Sequence, residues 1–101
     1  MDSEHSSVDT CELRPVIGLT HGLSAGDVAT LTVNAIRLHR QLGEKADQLF
    51  QALPDDYRTG NATGGVLHLE YIEAMIEMHA QMSALNTLLG VLGYIPKMAT
   101  N

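Results

Sequence analysis

The stretch Val66-Leu-His-Leu-Glu-Tyr-Ile-Glu-Ala-Met-Ile-Glu-Met-His-Ala-Gln-Met-Ser-Ala-Leu-Asn-Thr-Leu-Leu-Gly-Val-Leu92 constrains the fold more than any other. Gly64 and Gly65 precede it, and Gly93 with Pro96 closes it, a helix-stop signature. The spacing predicts one helix over 66–92, roughly 40 Å long at about 1.5 Å rise per residue. Its apolar residues do not keep to one stripe. Leu69, Ile72, Met75, Ile76, His79, Met82, Leu85, Leu89 and Leu92 form a broad seam, with Leu67, Met78, Leu88 and Val91 outside it. A surface helix buries one face, and this one carries more apolar surface than a single partner helix covers. Leu69, Ile72, Ile76, His79, Met82, Leu85, Leu89 and Leu92 are accordingly the expected core and dimer contacts.

The rest of the chain must supply the other walls, and it is short. At 101 residues it forms one domain with a modest core of its own. Apolar residues make up 45% and aromatics 4%, with no Trp, which suits helices packed through aliphatic side chains. The formal net charge is −6, six Lys and Arg against twelve Asp and Glu. Nucleic-acid binding needs clustered cations, so direct binding is not expected. The lone Cys11 excludes an internal disulfide and suits a reducing cytoplasm. No apolar run is long enough for a membrane span, and the acidic start lacks a signal-peptide core.

Residues 1–12 hold Asp2, Glu4, Asp9 and Glu12 with no Lys or Arg, and read as a flexible acidic tail. Residues 13–101 read as a single helical domain. In Leu13–Leu23, five aliphatic residues alternate with Pro15, Gly18 and Gly22, which predicts a short arm laid across a bundle. Ser24 can then cap the amide of Asp27, with Leu23 and Val28 at staple positions. Val28, Leu31, Ala35, Leu38, Leu42, Ala46, Leu49 and Leu53 keep helical spacing, so a helix is expected over about 25–53, ended by Pro54. The segment 54–65 is rich in turn formers. The predicted class is all-α: two long antiparallel helices with a short N-terminal arm, dimerising into a four-helix bundle-like core.

Candidates for chemistry are few. The five histidines lack the tight spacing of bundle metal sites: Glu77 and His79 point about 200° apart on a helix. His79 falls within the apolar seam, where a hydrogen-bonded bundle histidine is the expected role. Glu70, Glu73 and Glu77 share one face and form either a solvated acidic stripe or a partner-binding one. Gly64-Gly65 has no preceding strand and no phosphate-loop lysine, so it is a flexible helix entrance. Cys11 has no partner histidine nearby in sequence, and Met75, Met78, Met82 and Met98 fill a core or line an adaptable surface. No metal, cofactor or catalytic residue is expected.

The runs Glu12-Leu-Arg-Pro-Val-Ile-Gly-Leu-Thr20, Glu44-Lys-Ala-Asp-Gln-Leu-Phe-Gln-Ala-Leu-Pro54 and Tyr71-Ile-Glu-Ala-Met-Ile-Glu-Met-His-Ala-Gln-Met-Ser-Ala-Leu-Asn-Thr-Leu88 closely resemble the TraM family, as does Gly93-Tyr-Ile-Pro-Lys97. These are quorum-sensing antiactivators of conjugative plasmids in plant-associated bacteria. The resemblance covers most of Glu12–Asn101, loosely over Leu23–Leu42, and does not reach Met1–Cys11. It implies a cytoplasmic, non-catalytic homodimer that binds a LuxR-type transcription factor (TraR-like) and keeps it off its promoters, repressing conjugal transfer genes. By position, the family's contacts near the end of the first long helix and the start of the second fall on Leu53, Pro54 and Tyr71. The competing expectations are a helical-bundle adaptor or cofactor-binding protein with another partner, and a repressor that reads DNA itself. The second would need a basic helix, whereas 66–92 holds three Glu and no Lys or Arg.

Overall fold

The computed structural model describes residues 13–98; the acidic tail expected at residues 1–12 lies outside the described residues. Four helices follow in order: α1 (Arg14–Thr20), α2 (Ala25–Gln51), α3 (Asp55–Arg58) and α4 (Val66–Leu92). All regular structure among the described residues is helical. The two long helices, 27 residues each, run antiparallel: Phe50 stacks near Tyr71, Gly43 faces Met78, and the Gln81 amide reaches the Ala35 carbonyl.

Local chemistry sets each boundary. Ser24 Oγ accepts from the Asp27 amide at 3.0 Å, satisfying one of the free donors that open α2. Among the described residues Asp27 does not return a bond to Ser24, so the cap is one-sided. α2 stops at Gln51, two residues short of the expected end, because Ala52 and Leu53 turn through bonds to Gln48 and Phe50 before Pro54. The connection is not bare loop. Pro54 caps the single-turn α3, in which Asp55 pairs with Arg58. α4 begins after two positive-φ glycines and ends at Gly93, whose φ of 88° lets its amide close back on the Leu89 carbonyl at 2.8 Å. A side chain at that φ would be strained, so the stop depends on glycine.

The α2–α4 seam mixes small residues with large aliphatic ones. Val28, Ala35, Leu42, Ala46, Leu53, Ala74, Leu85 and Leu88 are buried, Ala35 packs with Leu85 and Leu88, and Thr32 is fully buried. The Thr32 hydroxyl donates to the Val28 carbonyl at 2.7 Å, which makes its burial cheap. A Cβ on Gly43 would lie 3.8 Å from the Met78 sulfur. Leu31 and Leu38, expected on the seam, are instead exposed at its flank, since the buried face is centred on Thr32, Ala35 and Ala46.

The arm α1 lies over the end of this seam. Val16 packs on the Ala35–Leu85–Leu88 cluster together with Ile36 and Leu89. The Leu13 amide donates to Thr87 Oγ1 at 2.8 Å, fixing where the arm starts. Thr20, buried at its end, returns its hydroxyl proton to Val16 and Ile17.

Candidate protein-interaction surfaces

α2 is one-sided, but α4 is apolar nearly all round, and α2 and α1 together cover only part of it. The eight expected core and dimer residues of α4 divide accordingly. Leu85 is buried, and Ile72, Leu89 and Leu92 are half-buried. Leu69, Ile76, His79 and Met82 are exposed in the single chain, with Ile76 at 63% and Leu69 at 55%. The intramolecular core thus runs through Ala74, Met78, Leu85 and Leu88, displaced around the helix from the seam drawn on large residues. His79, expected inside a bundle, faces outward from this chain. With Ile72, Met75, Ile76, Ala80 and Tyr71 it lines an open, mostly apolar groove of about 650 Å³.

A second surface forms at the hairpin end. Pro54 is exposed there, and Tyr71 is half-buried with its ring 5.4 Å from that of Phe50. Leu53, expected beside them as a partner contact, is 4% exposed. That is a correction: the turn through Ala52 folds its side chain into the core, leaving Pro54 to present the corner. Tyr57 and His68 meet edge to face at 5.6 Å, and His68 Nδ1 accepts from the Gly64 amide at 2.7 Å. A small cavity of about 250 Å³ between Pro54, Tyr57 and the exposed Val66 and Leu67 adds apolar surface to this end.

The third feature is the acidic stripe. Glu70, Glu73 and Glu77 are all exposed and line a cleft of about 280 Å³ with Lys45, Leu49 and Ala74. Among the described residues none of the three is ion-paired. Carboxylates so open to water lack the burial that acid–base catalysis requires. No group of three or more His, Cys, Asp or Glu side chains among the described residues could hold a metal ion.

Sequence reasoning missed Thr87, which anchors the arm, and His39, whose Nδ1 is buried without a hydrogen-bond partner on the inward side of α2. Both are polar residues at core-facing register. A pattern counted on apolar residues alone passes over them, although their spacing from Ala35 and Leu88 would have placed them.

Two exposed apolar surfaces and an acidic stripe on a helical hairpin suit a small regulatory protein that acts through contacts with other proteins. The chain belongs to the family described as Prokaryotic Transcriptional repressor TraM, whose profile matches residues 1–97. It is 66% identical over 90 residues to a transcriptional repressor TraM of Rhizobium radiobacter, covering 89% of this chain and 88% of that protein. A TraM repressor of Agrobacterium fabrum is 57% identical over 102 positions, spanning both chains in full. The crystal structure of a second quorum sensing antiactivator, TraM2 from A. tumefaciens strain A6, matches with a TM-score of 0.85 at 76% identity, covering 87% of this chain and 99% of that one. This is a family of regulatory antiactivators and not of enzymes. No helix among the described residues is long and apolar enough to cross a membrane.

Proposed function

We propose that the chain is a cytoplasmic homodimeric antiactivator that binds a LuxR-type quorum-sensing transcription factor, TraR-like, and prevents it from binding DNA, so repressing plasmid conjugal transfer genes. The observation that carries this reading is the uncovered apolar face of α4. Leu69, Ile72, Ile76 and Met82 project from a helix whose other side is already packed, and a monomer gains nothing by leaving them in water. A second copy seated on this groove closes a four-helix core beside the α2–α4 seam. The hairpin corner at Pro54, flanked by Glu70, Glu73 and Glu77, is the surface offered to the regulator, with Tyr71 standing where that corner meets the groove.

Direct repression through DNA is disfavoured by the distribution of charge, since the exposed part of α4 carries only acids. The test is co-purification with a ligand-bound LuxR-type regulator, followed by mass measurement of the complex and a gel shift on promoter DNA. The chain should leave naked DNA unshifted and release DNA already held by the regulator. A chain that shifts promoter DNA alone, or fails to form a complex with any such regulator, overturns the reading.

A further inference from the structure

The entrance of α4 is held by one side chain. Gly65, at the N-cap, has no side chain to bond the free amides of the first turn, and that turn contains no acid. His68, in the third helical position, reaches back instead. Its Nδ1 accepts from the Gly64 amide at 2.7 Å, much as the Glu of a capping box accepts from the N-cap amide. The bond closes over two glycines at φ of 86° and 90°, the most freely turning part of the connection. The imidazole also meets Tyr57 edge to face, with ring centroids 5.6 Å apart, and a Cβ on Gly65 would lie 3.7 Å from the Tyr57 hydroxyl. α3 and the start of α4 thus meet at His68.

A capping Glu remains an acceptor until strongly acid pH, whereas histidine changes charge between about pH 5 and 8. The imidazolium donates from both nitrogens and accepts at neither. A proton on Nδ1 points at the Gly64 N–H, donor against donor, and a ring flip presents only another donor. The positive end of the helix dipole opposes the same charge. The neighbouring elements do not offset it. On α3, Tyr57 is the titratable group against the ring, Asp55 is taken by Arg58, and Asp56 is exposed. On α4, Tyr71 follows one turn later and Glu70 is exposed, while the end of α2 presents the apolar Phe50. No ion pair among the described residues reaches His68.

We propose that His68 is a proton-sensitive latch. Neutral, it holds the glycine entrance of α4 beside α3; protonated, it lets go of Gly64 and loosens the hairpin corner. The bond exists only with the neutral ring, so order at the corner is complete at the alkaline side and is lost as pH falls. That this corner faces a regulator rests on the function proposed above. The latch itself rests on the hydrogen bond, and its test uses the chain alone.

An N–H···N bond is visible as a ¹⁵N–¹⁵N coupling, here between the Gly64 amide and His68 Nδ1 in the full-length ¹⁵N-labelled protein. The coupling is expected at about pH 7.5 and lost at about pH 5, with the Gly64, Gly65, Val66 and Tyr57 amides shifting in step with the His68 ring signals. His21, His39 and His79 are also present, so two variants assign the effect. His68→Gln keeps an acceptor that does not titrate, and these amides should hold still over the same range. His68→Phe keeps a ring beside Tyr57 without an acceptor. Its amides should sit at the acid positions even near neutral pH, with protection of Gly64 from hydrogen exchange reduced about fivefold, as for an ordinary cap. Unmoved Leu13 and Thr87 amides confirm that the fold persists. Absence of the coupling near neutral pH overturns the proposal, as does a coupling that survives full charging of the ring or an equal shift in His68→Gln. A regulator bound with the same pH dependence by His68→Gln and the unaltered chain, whose coupling is lost in acid, overturns the docking surface and not the latch.

Discussion

The backbone amide of Leu13 donates to Thr87 Oγ1 at 2.8 Å, joining residues 74 apart in sequence. Thr87 is 1% exposed, and its hydroxyl proton goes to the Ser83 carbonyl, also at 2.8 Å. One hydroxyl therefore accepts from the arm while donating to its own helix. Arm and helix are coupled through a single oxygen.

Replacing that oxygen by a methyl isolates the coupling. Thr87→Val leaves the Leu13 amide without an acceptor in a part-buried site and should cost about 1–3 kcal/mol. Thr87→Ser keeps the oxygen and should recover most of it. Urea unfolding gives the energy, and hydrogen exchange at the Leu13 amide gives the location. Equal stability of the Val and Ser variants would show that the bond contributes nothing.

Two residues of α4 should separate folding from self-association. Leu85 is buried with Ala35 and Leu88, so Leu85→Ala should destabilise the fold by about 2–5 kcal/mol. Ile76 is exposed in the single chain, so Ile76→Asp should leave helicity near normal and abolish the dimer. Stability of the unaltered protein should rise with concentration. Sedimentation at several concentrations decides, and a compact monomer with a dilution-insensitive melt sinks the dimer.

Tyr71 has two environments, the Phe50 ring on one side and water on the other. Tyr71→Ala should weaken regulator binding at least tenfold, with helicity and dimer retained and about 0.5–1.5 kcal/mol of ring packing lost. Tyr71→Phe keeps the packing and tests the hydroxyl alone. If binding and helical content fall in parallel, the ring is a core residue and not an anchor.

The acidic stripe tests how the regulator is held. Three carboxylates along α4 are sparse beside duplex DNA, which carries a charge every ~1.7 Å, so a phosphate mimic is a poor description. Apolar contacts should carry the affinity and hold the regulator in a geometry unfit for DNA, while charge speeds encounter. Glu70→Gln/Glu73→Gln/Glu77→Gln should therefore slow association and leave dissociation nearly unchanged, and added salt should do the same. Stopped-flow binding separates the two rates; complete loss of binding with an intact fold would reverse the assignment.

The helices were legible because their ends are chemical. Ser24, Gly65 and Gly93 act through single hydrogen bonds or a single backbone angle, and such signals are local. The one-turn α3 was missed although its acids at Asp55 and Asp56 and its Arg58 follow helix-end charge preference, since four residues give no period to count. The face of α4 that meets α2 was harder still. Ala74, Ala35, Ala46 and Thr32 are buried there with Leu85 and Leu88, while Leu69 and Ile76 turn outward. A hydrophobicity pattern weights Ile76 above Ala74 and so does not separate the face that packs within the chain from the apolar face left exposed.

The two long helices match at 27 residues each, which limits where the chain can change length. One residue inserted between Ala74 and Leu85 rotates everything beyond it by about 100° and advances it by about 1.5 Å. Thr87 would swing away from Leu13, and Leu88 would leave the seam. A seven-residue insertion nearly restores the rotation but overshoots the partner helix by almost two turns. Insertions should thus be tolerated better in the connection 59–65, where positive-φ glycines already interrupt regular structure, than within either long helix. Scanning insertions, scored by soluble expression, should divide the chain at those borders: rigid in register along both helices, permissive at the hairpin tip.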